Sequence, residues 1–226
     1  FLLKISNKFK VSDYEIKSFL NINELSANNG MNLTNILPNY KSEIKLKDHQ
    51  TQIVFKKDSL LINGDGNLLV QKNYDKVSYK IKKSRDHHSF DIKFEIVDNP
   101  IVFDFLNYKT NDNSKSNLEI IGKFIKDKNL DLEKIKFNNG SDLISITNLK
   151  LTNDFKISNV ETAIFDFTDI QNKKNIFQIN DNKKNYIISG KIFNASKLID
   201  DLIFKDTKNK NIFDKDYILK IDLKEV

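Results

Sequence analysis

This chain of 226 residues carries 37 Lys and Arg against 31 Asp and Glu, a formal charge of +6. It contains no cysteine, which excludes disulfides, thiolate catalysis and cysteine-ligated zinc. Lysines stand beside carboxylates instead of clustering and Arg85 is the only arginine, so we expect no nucleic-acid partner. The apolar runs fall short of the ~20 residues that a membrane helix needs.

Hydrophobic residues make up 39% of the chain, less than the roughly 45–50% of ordinary globular domains. This composition favours an elongated sheet with one face in water. The chain begins FLLKISNKFK, with neither an initiator Met nor a signal-type apolar stretch. We therefore expect residues 1–226 to be one continuous segment of a longer polypeptide.

The first half of the chain reads as short strands joined by turns. Residues 1–19 predict two strands separated by Asn7-Lys8, and residues 33–37 a single helical turn stopped by Pro38. Gly, Asn and Asp predict turns at 63–66 and 72–75. The strands expected between these signals are 43–47, 52–55, 59–62, 68–71 and 77–82.

The clearest strand is 89–96, SFDIKFEI, in which apolar and polar residues alternate without a break. The same alternation marks 77–82 and 217–223. We predict that the apolar members of such strands line a groove, although faces of this kind commonly pack as ordinary core. The groove residues predicted are Val77, Tyr79, Ile81, Phe90, Ile92, Phe94, Phe103, Phe105, Tyr217, Leu219 and Ile221.

The second half continues the pattern. Pro100 stands before a strand predicted over 101–106, and the hydrophilic stretch 108–117 is a flexible loop or a seam between repeats. One short helix is expected near 195–204, where apolar residues recur four apart. The remaining strands are predicted at 118–125, 130–137, 143–151, 155–157, 161–167, 176–179, 186–192 and 217–223.

The chain also contains an internal sequence repeat, which we call the internal echo. LKISNKFKVSDYEIKSF from Leu3 and LKLTNDFKISNVETAIF from Leu149 align over 17 positions, at an offset of 146 residues. Identical residues include Phe9 with Phe155 and Ser12 with Ser158. The echo indicates a repeat array in which each unit stacks its strands on the next.

No cluster of residues points to catalysis. His87 and His88 beside Asp86 lack ligands from a second segment and indicate a solvated loop. Gly64-Asp65-Gly66 lacks the third glycine and the Lys-Ser/Thr pair of a phosphate loop. The sequence therefore predicts a non-enzymatic protein with no catalytic residue, metal or cofactor.

The segment YIISGKIFNASKLIDDLIF, from Tyr186, resembles an element of the AsmA-like family, the bridge-like lipid transport proteins of the TamB and YhdP type. In that element a strand ending in Gly leads through an aromatic residue to a short helix. The positions that match it are Gly190, Phe193, Ala195, Leu198, Ile199 and Leu202, with Asn194 where the family commonly has Asp.

This resemblance implies a mainly β fold, an elongated, curled antiparallel sheet that forms a repeat-like groove or gutter. It implies a periplasmic location and an inner-membrane anchor outside this segment. Phospholipid would be the cargo in outer-membrane biogenesis, with outer-membrane proteins as further partners. Burial of an acyl chain yields about 0.8 kcal/mol per CH₂, so an apolar strip can hold lipid without a specific binding residue.

Two other functions are compatible with the same patterns. The first is a structural or adhesive β-repeat protein of a bacterial surface, whose strand faces form a dry core. The second, less favoured, is a β-solenoid enzyme that acts on polysaccharide, which requires carboxylates converging on one cleft.

Overall fold

The computed structural model describes residues 1–28, 30, 32–111, 113–125, 129–183, 185–197, 199 and 214–225. These residues form fifteen strands and a 3₁₀ turn at Asp104–Leu106. The strands are β1 (Leu2–Ile5), β2 (Val11–Asn28), β3 (Glu43–Lys56), β4 (Ser59–Leu69), β5 (Tyr74–Lys83), β6 (His87–Val97), β7 (Val102–Phe103), β8 (Tyr108–Lys109), β9 (Lys115–Ile125), β10 (Leu130–Asn139), β11 (Asp142–Leu151), β12 (Ile157–Thr168), β13 (Lys174–Asp181), β14 (Tyr186–Ile192) and β15 (Leu219–Glu225).

Thirteen of these strands make one open sheet whose order follows the chain, with β7 and β8 set apart as a two-stranded ribbon between β6 and β9. Short turns join successive strands, so neighbours pair antiparallel. The last pair, β14 and β15, is parallel. The predicted mainly β, antiparallel fold is therefore confirmed.

The alternating turns give the sheet two rims. The open rim carries the turns at 6–10, 57–58, 84–86, 152–156 and 182–185, together with Asn129. The capped rim carries the connections at 32–42, 70–73, 98–114, 140–141 and 169–173 and residues 193–197 after β14. Strand β15 runs parallel to β14, so it begins at the open rim and ends at the capped rim.

One face of the sheet is apolar from β2 to β15. Register places Ile62, Ile81 and Phe90 in one row across β4, β5 and β6, because directly paired residues point to the same side. The opposite, polar face carries ion pairs such as Lys134–Glu119, 2.5 Å, and Lys93–Glu119, 3.6 Å. We call these the apolar face and the polar face.

The hydrophobic core lies where the capped rim folds over the apolar face. Ile101, Leu106 and Tyr108 of the 98–114 connection are 2–5% exposed and pack on buried residues of β10 to β13. The Tyr108 ring meets Phe167 edge-on, with centroids 5.4 Å apart. This connection, which we call the cap, therefore buries one margin of the apolar face.

Buried polar contacts fasten the cap to the sheet. The Asn99 amide donates to both carboxylate oxygens of Asp75, at 2.9 Å each, and its carbonyl oxygen accepts from the backbone of Lys72 and Asn73. The Tyr108 hydroxyl donates to Asp142 at 3.1 Å. Burial raises the pKa of Asp75, although hydrogen bonds from Asn99 and Val97 oppose that rise.

Several local predictions were wrong. Residues 104–106 of the predicted strand 101–106 form a 3₁₀ turn, and residues 63–66 lie inside β4 rather than in a turn. The loop interpretation of 108–117 fails for Tyr108 and Thr110, which are buried in the cap. The seam near 108–117 stays a prediction.

Other predictions hold in part. The Leu37 N–H donates to the Leu33 carbonyl at 2.8 Å, which makes the single helical turn expected before Pro38. The predicted helix near 195–204 lies largely outside the described residues. Within them, Ser196, Lys197 and Ile199 are helical, and the Ile199 N–H donates to the Ala195 carbonyl at 2.9 Å.

The internal echo corresponds to two hairpins of the same geometry. In both, the register shifts at the same place, with Ile5 opposite Val11 and Leu151 opposite Ile157. Phe9 (φ 55°) and Phe155 (φ 59°) occupy the same left-handed position, and each N–H donates three residues back. The equivalence ends soon afterwards, since Phe165 is 3% exposed in the core whereas Phe19 is 71% exposed on the polar face.

Candidate functional site

Six of the predicted groove residues lie together on the apolar face, in the two central strands β5 and β6. They form three directly paired rows: Val77 opposite Phe94, Tyr79 opposite Ile92 and Ile81 opposite Phe90. Val77 is buried, whereas the other five are half-buried. These six residues therefore share one face of the sheet, and their role as a groove lining stays a prediction.

The other five predicted residues have different surroundings. Phe103 belongs to the cap, with its ring centroid 5.6 Å from that of Phe137, and Phe105 is 56% exposed in the 3₁₀ turn. Tyr217 precedes β15 and its hydroxyl donates to the Ser158 carbonyl at 2.7 Å. Leu219 and Ile221 lie on the edge strand, paired with Tyr186 and Ile188 of the apolar face. Only the last two therefore extend the patch along a strand of the main sheet.

Most of the apolar face between the core and the open rim has no described segment over it. Ile120 of β9 pairs with Ile92 and Ile135, is half-buried, and lies outside the core cluster. Phe124 and Phe55, nearer the open rim, are 43% and 42% exposed. Within the described ranges the main strand contacts join sheet neighbours, and no second described sheet packs on this surface. We call this part of the apolar face the uncovered strip.

Sequence reasoning did not select the neighbours that widen the strip beyond β5 and β6. Ile53, Ile62, Ile120 and Ile135 belong to strands that were predicted, but their facing depends on pairing register. A bulge in β10 between Leu132 and Lys134 changes the parity of that strand, which alternation in one strand does not reveal.

A polar cluster interrupts the apolar face next to β4. His49 Nε2 lies 3.1 Å from the Tyr79 hydroxyl, and Thr51 Oγ1 lies 3.2 Å from the same hydroxyl. Gly64 and Gly66 leave the space for these side chains, since a Cβ at Gly64 would stand 2.5 Å from the Tyr79 ring. Burial lowers the pKa of His49, and the nearby Asp65 carboxylate offsets part of that effect.

The polar face offers open cavities but no catalytic arrangement among the described residues. Two cavities, of about 490 and 700 Å³, share Asp65, Ser78 and Lys93 in their linings. In the described part of the chain no three His, Cys, Asp or Glu side chains come together as a metal site. His87 and His88 begin strand β6 and are half-buried and exposed, respectively. The uncovered strip is therefore the candidate functional site among the described residues.

Comparison with known proteins gives no relative from which function can be transferred. No protein-family model, no curated protein and no solved structure matches this chain. Among the described residues, the search for a helix long and apolar enough to cross a bilayer found none. Functional inference therefore depends on the uncovered strip itself.

Proposed function

We propose that this chain is a non-enzymatic lipid-binding segment that holds phospholipid acyl chains on its uncovered strip. The observation that carries the proposal is the run of paired apolar residues across the sheet, including Tyr79, Ile92 and Ile120, with no described segment over them. Soluble monomers rarely leave a large contiguous apolar surface uncovered unless it binds something.

The dimensions of the sheet support an extended ligand. Thirteen strands at about 4.8 Å spacing run for roughly 60 Å across the sheet, far more than one small ligand needs. Each buried CH₂ contributes about 0.8 kcal/mol, so lipid can bind at many equivalent positions along the strip. Binding of this kind needs shape and apolar surface rather than a specific polar residue.

The fuller form of the proposal is a bridge-like transporter of the AsmA-like type. In that role the segment lies in the periplasm, its parent chain is anchored in the inner membrane, and the strip shields phospholipid on its way to the outer membrane. The resemblance around Gly190 and Phe193 and the repeated hairpins support an array of this kind.

The test is organic extraction and mass spectrometry of lipids that co-purify with the folded chain, expressed in a bacterial periplasm without strong detergent. We expect stoichiometric phospholipid with the unsubstituted 226-residue chain, which we call the parent chain in these experiments. Ile120→Asp, which places a charge on the uncovered strip, should fold and lose the lipid. The matched control is Ile164→Asp, a 42% exposed isoleucine of the polar face, which should keep the lipid.

Two outcomes would contradict the proposal. The first is an unsubstituted chain that carries no lipid and melts cooperatively, which would favour a structural or adhesive β-repeat with a dry face. The second is equal loss of lipid in Ile120→Asp and Ile164→Asp, which would show that bound lipid does not depend on the uncovered strip.

A further inference from the structure

A second surface stands out at the open rim, where the first hairpin places an aromatic ring in water. Phe9 is 92% exposed and adopts φ 55°, a conformation that bulky side chains rarely take. Backbone bonds hold it there, since the Ser6 N–H donates to the Lys10 carbonyl at 2.8 Å. Ile5 and Val11, at the hairpin base, are 55% and 50% exposed. The tip is therefore an apolar wedge with no described partner.

Basic side chains lie in the same turn as this wedge and in the next turn of the rim. Lys8 and Lys10 flank Phe9 in the turn and are exposed. The Lys57 ammonium donates to the Ser12 carbonyl at 3.1 Å, which places the next turn of the rim beside the hairpin. Arg85 of the following turn forms an ion pair with Asp58 at 3.4 Å, so it links the second and third turns and adds no unpaired charge beside Phe9. We call Lys8, Phe9, Lys10 and Lys57 the basic corner.

The second hairpin has the same backbone and different electrostatics. Phe155 is 71% exposed at the equivalent position. The residue before it is Asp154 where the first hairpin has Lys8, and Asp154 pairs with Lys156 at 2.9 Å. The two hairpin tips therefore share a backbone geometry and differ in charge. The Phe155 tip can serve as a control for the effect of charge at the Phe9 tip.

We infer that the basic corner docks on an anionic phospholipid bilayer, with Phe9 inserted among the headgroups and the ammonium groups of Lys8, Lys10 and Lys57 at their phosphates. An exposed apolar ring flanked by lysines is complementary to that surface, where each basic residue strengthens binding about fivefold. Nucleic acid is the less favoured occupant, because the single arginine of the chain is paired with Asp58 and the wedge includes aliphatic side chains. This docking goes beyond the lipid-holding strip and uses different residues.

The experiment is co-sedimentation of the whole 226-residue chain with phosphatidylcholine vesicles, with and without about one third phosphatidylglycerol. The parent chain should sediment with the anionic vesicles and remain in solution with the neutral ones. Phe9→Asn should weaken binding about tenfold. Lys8→Gln/Lys10→Gln/Lys57→Gln should weaken it roughly a hundredfold, and binding should fall steeply with salt.

Controls separate the corner from general charge and from misfolding. Phe155→Asn should leave binding unchanged, and so should Lys72→Gln/Lys136→Gln/Lys224→Gln, which removes the same charge away from the corner. Both Asn variants should melt at or above the temperature of the parent chain, because Asn tolerates the left-handed conformation. Ile120→Asp should still sediment, so failure of lipid holding and failure of docking are distinguishable.

Three results would overturn the inference. Equal loss of binding in Phe9→Asn and Phe155→Asn would show that binding does not depend on the basic corner. Equal binding to neutral and anionic vesicles would show that it does not depend on the lysine charges. Displacement from vesicles by a single-stranded oligonucleotide that binds more tightly through Lys8, Lys10 and Lys57 would assign the corner to nucleic acid instead.

Discussion

At the scale of single residues, glycine and histidine show how one position shapes the apolar face. Gly64 and Gly66 lie inside a strand, where glycine is normally unfavourable, and each leaves room for a side chain from a neighbouring strand. Tyr79 and His49 fill those spaces and bond to one another at 3.1 Å. The glycines that suggested a turn in the sequence therefore serve close packing.

Gly64→Ala tests this explanation. Its Cβ would stand 2.5 Å from the ring and the hydroxyl of Tyr79, so the ring must move and lose its bond to His49. Overpacking of this kind lowers the free energy of unfolding by about 1–3 kcal/mol. Urea denaturation measures the change. Gly30→Ala, where no atom lies within 4 Å of the new Cβ, should leave stability almost unchanged.

His49 makes stability depend on pH. Burial lowers the pKa of His49 below its ordinary value in the folded state, whereas the unfolded chain titrates near 6.5. Below that pH the unfolded state binds more protons, so the free energy of unfolding should fall as the solution is acidified.

Denaturation at about pH 7.5 and about pH 5 should show this loss, and His49→Gln should reduce it. An unchanged slope in His49→Gln would mean that His49 does not carry the effect.

At the scale of elements, the cap decides which part of the apolar face becomes core. Its contacts with the sheet combine aromatic packing, such as Phe103 on Phe137, with the buried hydrogen bonds from Asn99 to Asp75. Although burial opposes ionisation, hydrogen bonds from Asn194 and the backbone lower the pKa of Asp169 at the same rim. The capped rim is thus fixed by specific pairing rather than by apolar area alone.

Asn99→Ala should therefore destabilise the fold strongly. The change leaves the Asp75 carboxylate and the backbone N–H groups of Lys72 and Asn73 without their buried partner. Loss of such partners costs about 2–4 kcal/mol, more than a surface substitution would. Thermal denaturation measures the effect, and Asn117→Ala, at an exposed position of β9, is the matched control. Equal stability of the two variants would show that the cap does not depend on Asn99.

At the scale of the whole molecule, an open sheet with one partly covered face leaves apolar surface in contact with water. Ordinary native proteins bind anilinonaphthalene sulfonate weakly, because their apolar residues are buried. This chain should bind the dye in its native state and release it on unfolding in urea.

Ile120→Asp should reduce native dye fluorescence, while Ile164→Asp on the polar face should leave it unchanged. A parent chain that binds no dye when native would contradict the existence of an uncovered strip. Dye binding that increases on unfolding would likewise contradict the existence of an uncovered strip.

The sequence by itself determined the mainly β class and the facing within its clearest alternating strands. Alternation in 89–96 and 77–82 places Phe90 and Ile81 on one side because successive side chains of a strand point in opposite directions. It also revealed the paired hairpins, since identical residues at an offset of 146 adopt the same turn. The local sequence pattern is sufficient to predict strand facing and hairpin turns, because both depend on residues close together in the chain.

Only the tertiary structure decided which part of the apolar face is covered. Phe94 and Ile120 have similar local patterns, yet Phe94 packs against the core cluster and Ile120 does not. The difference arises from the cap, whose contacts join residues far apart in the chain, such as Tyr108 and Phe167. In the same way, Lys57 lies beside the first hairpin only because strand order brings the two turns together. Contacts between distant segments follow from pairing register and folding of the connections, which alternation within one strand does not encode.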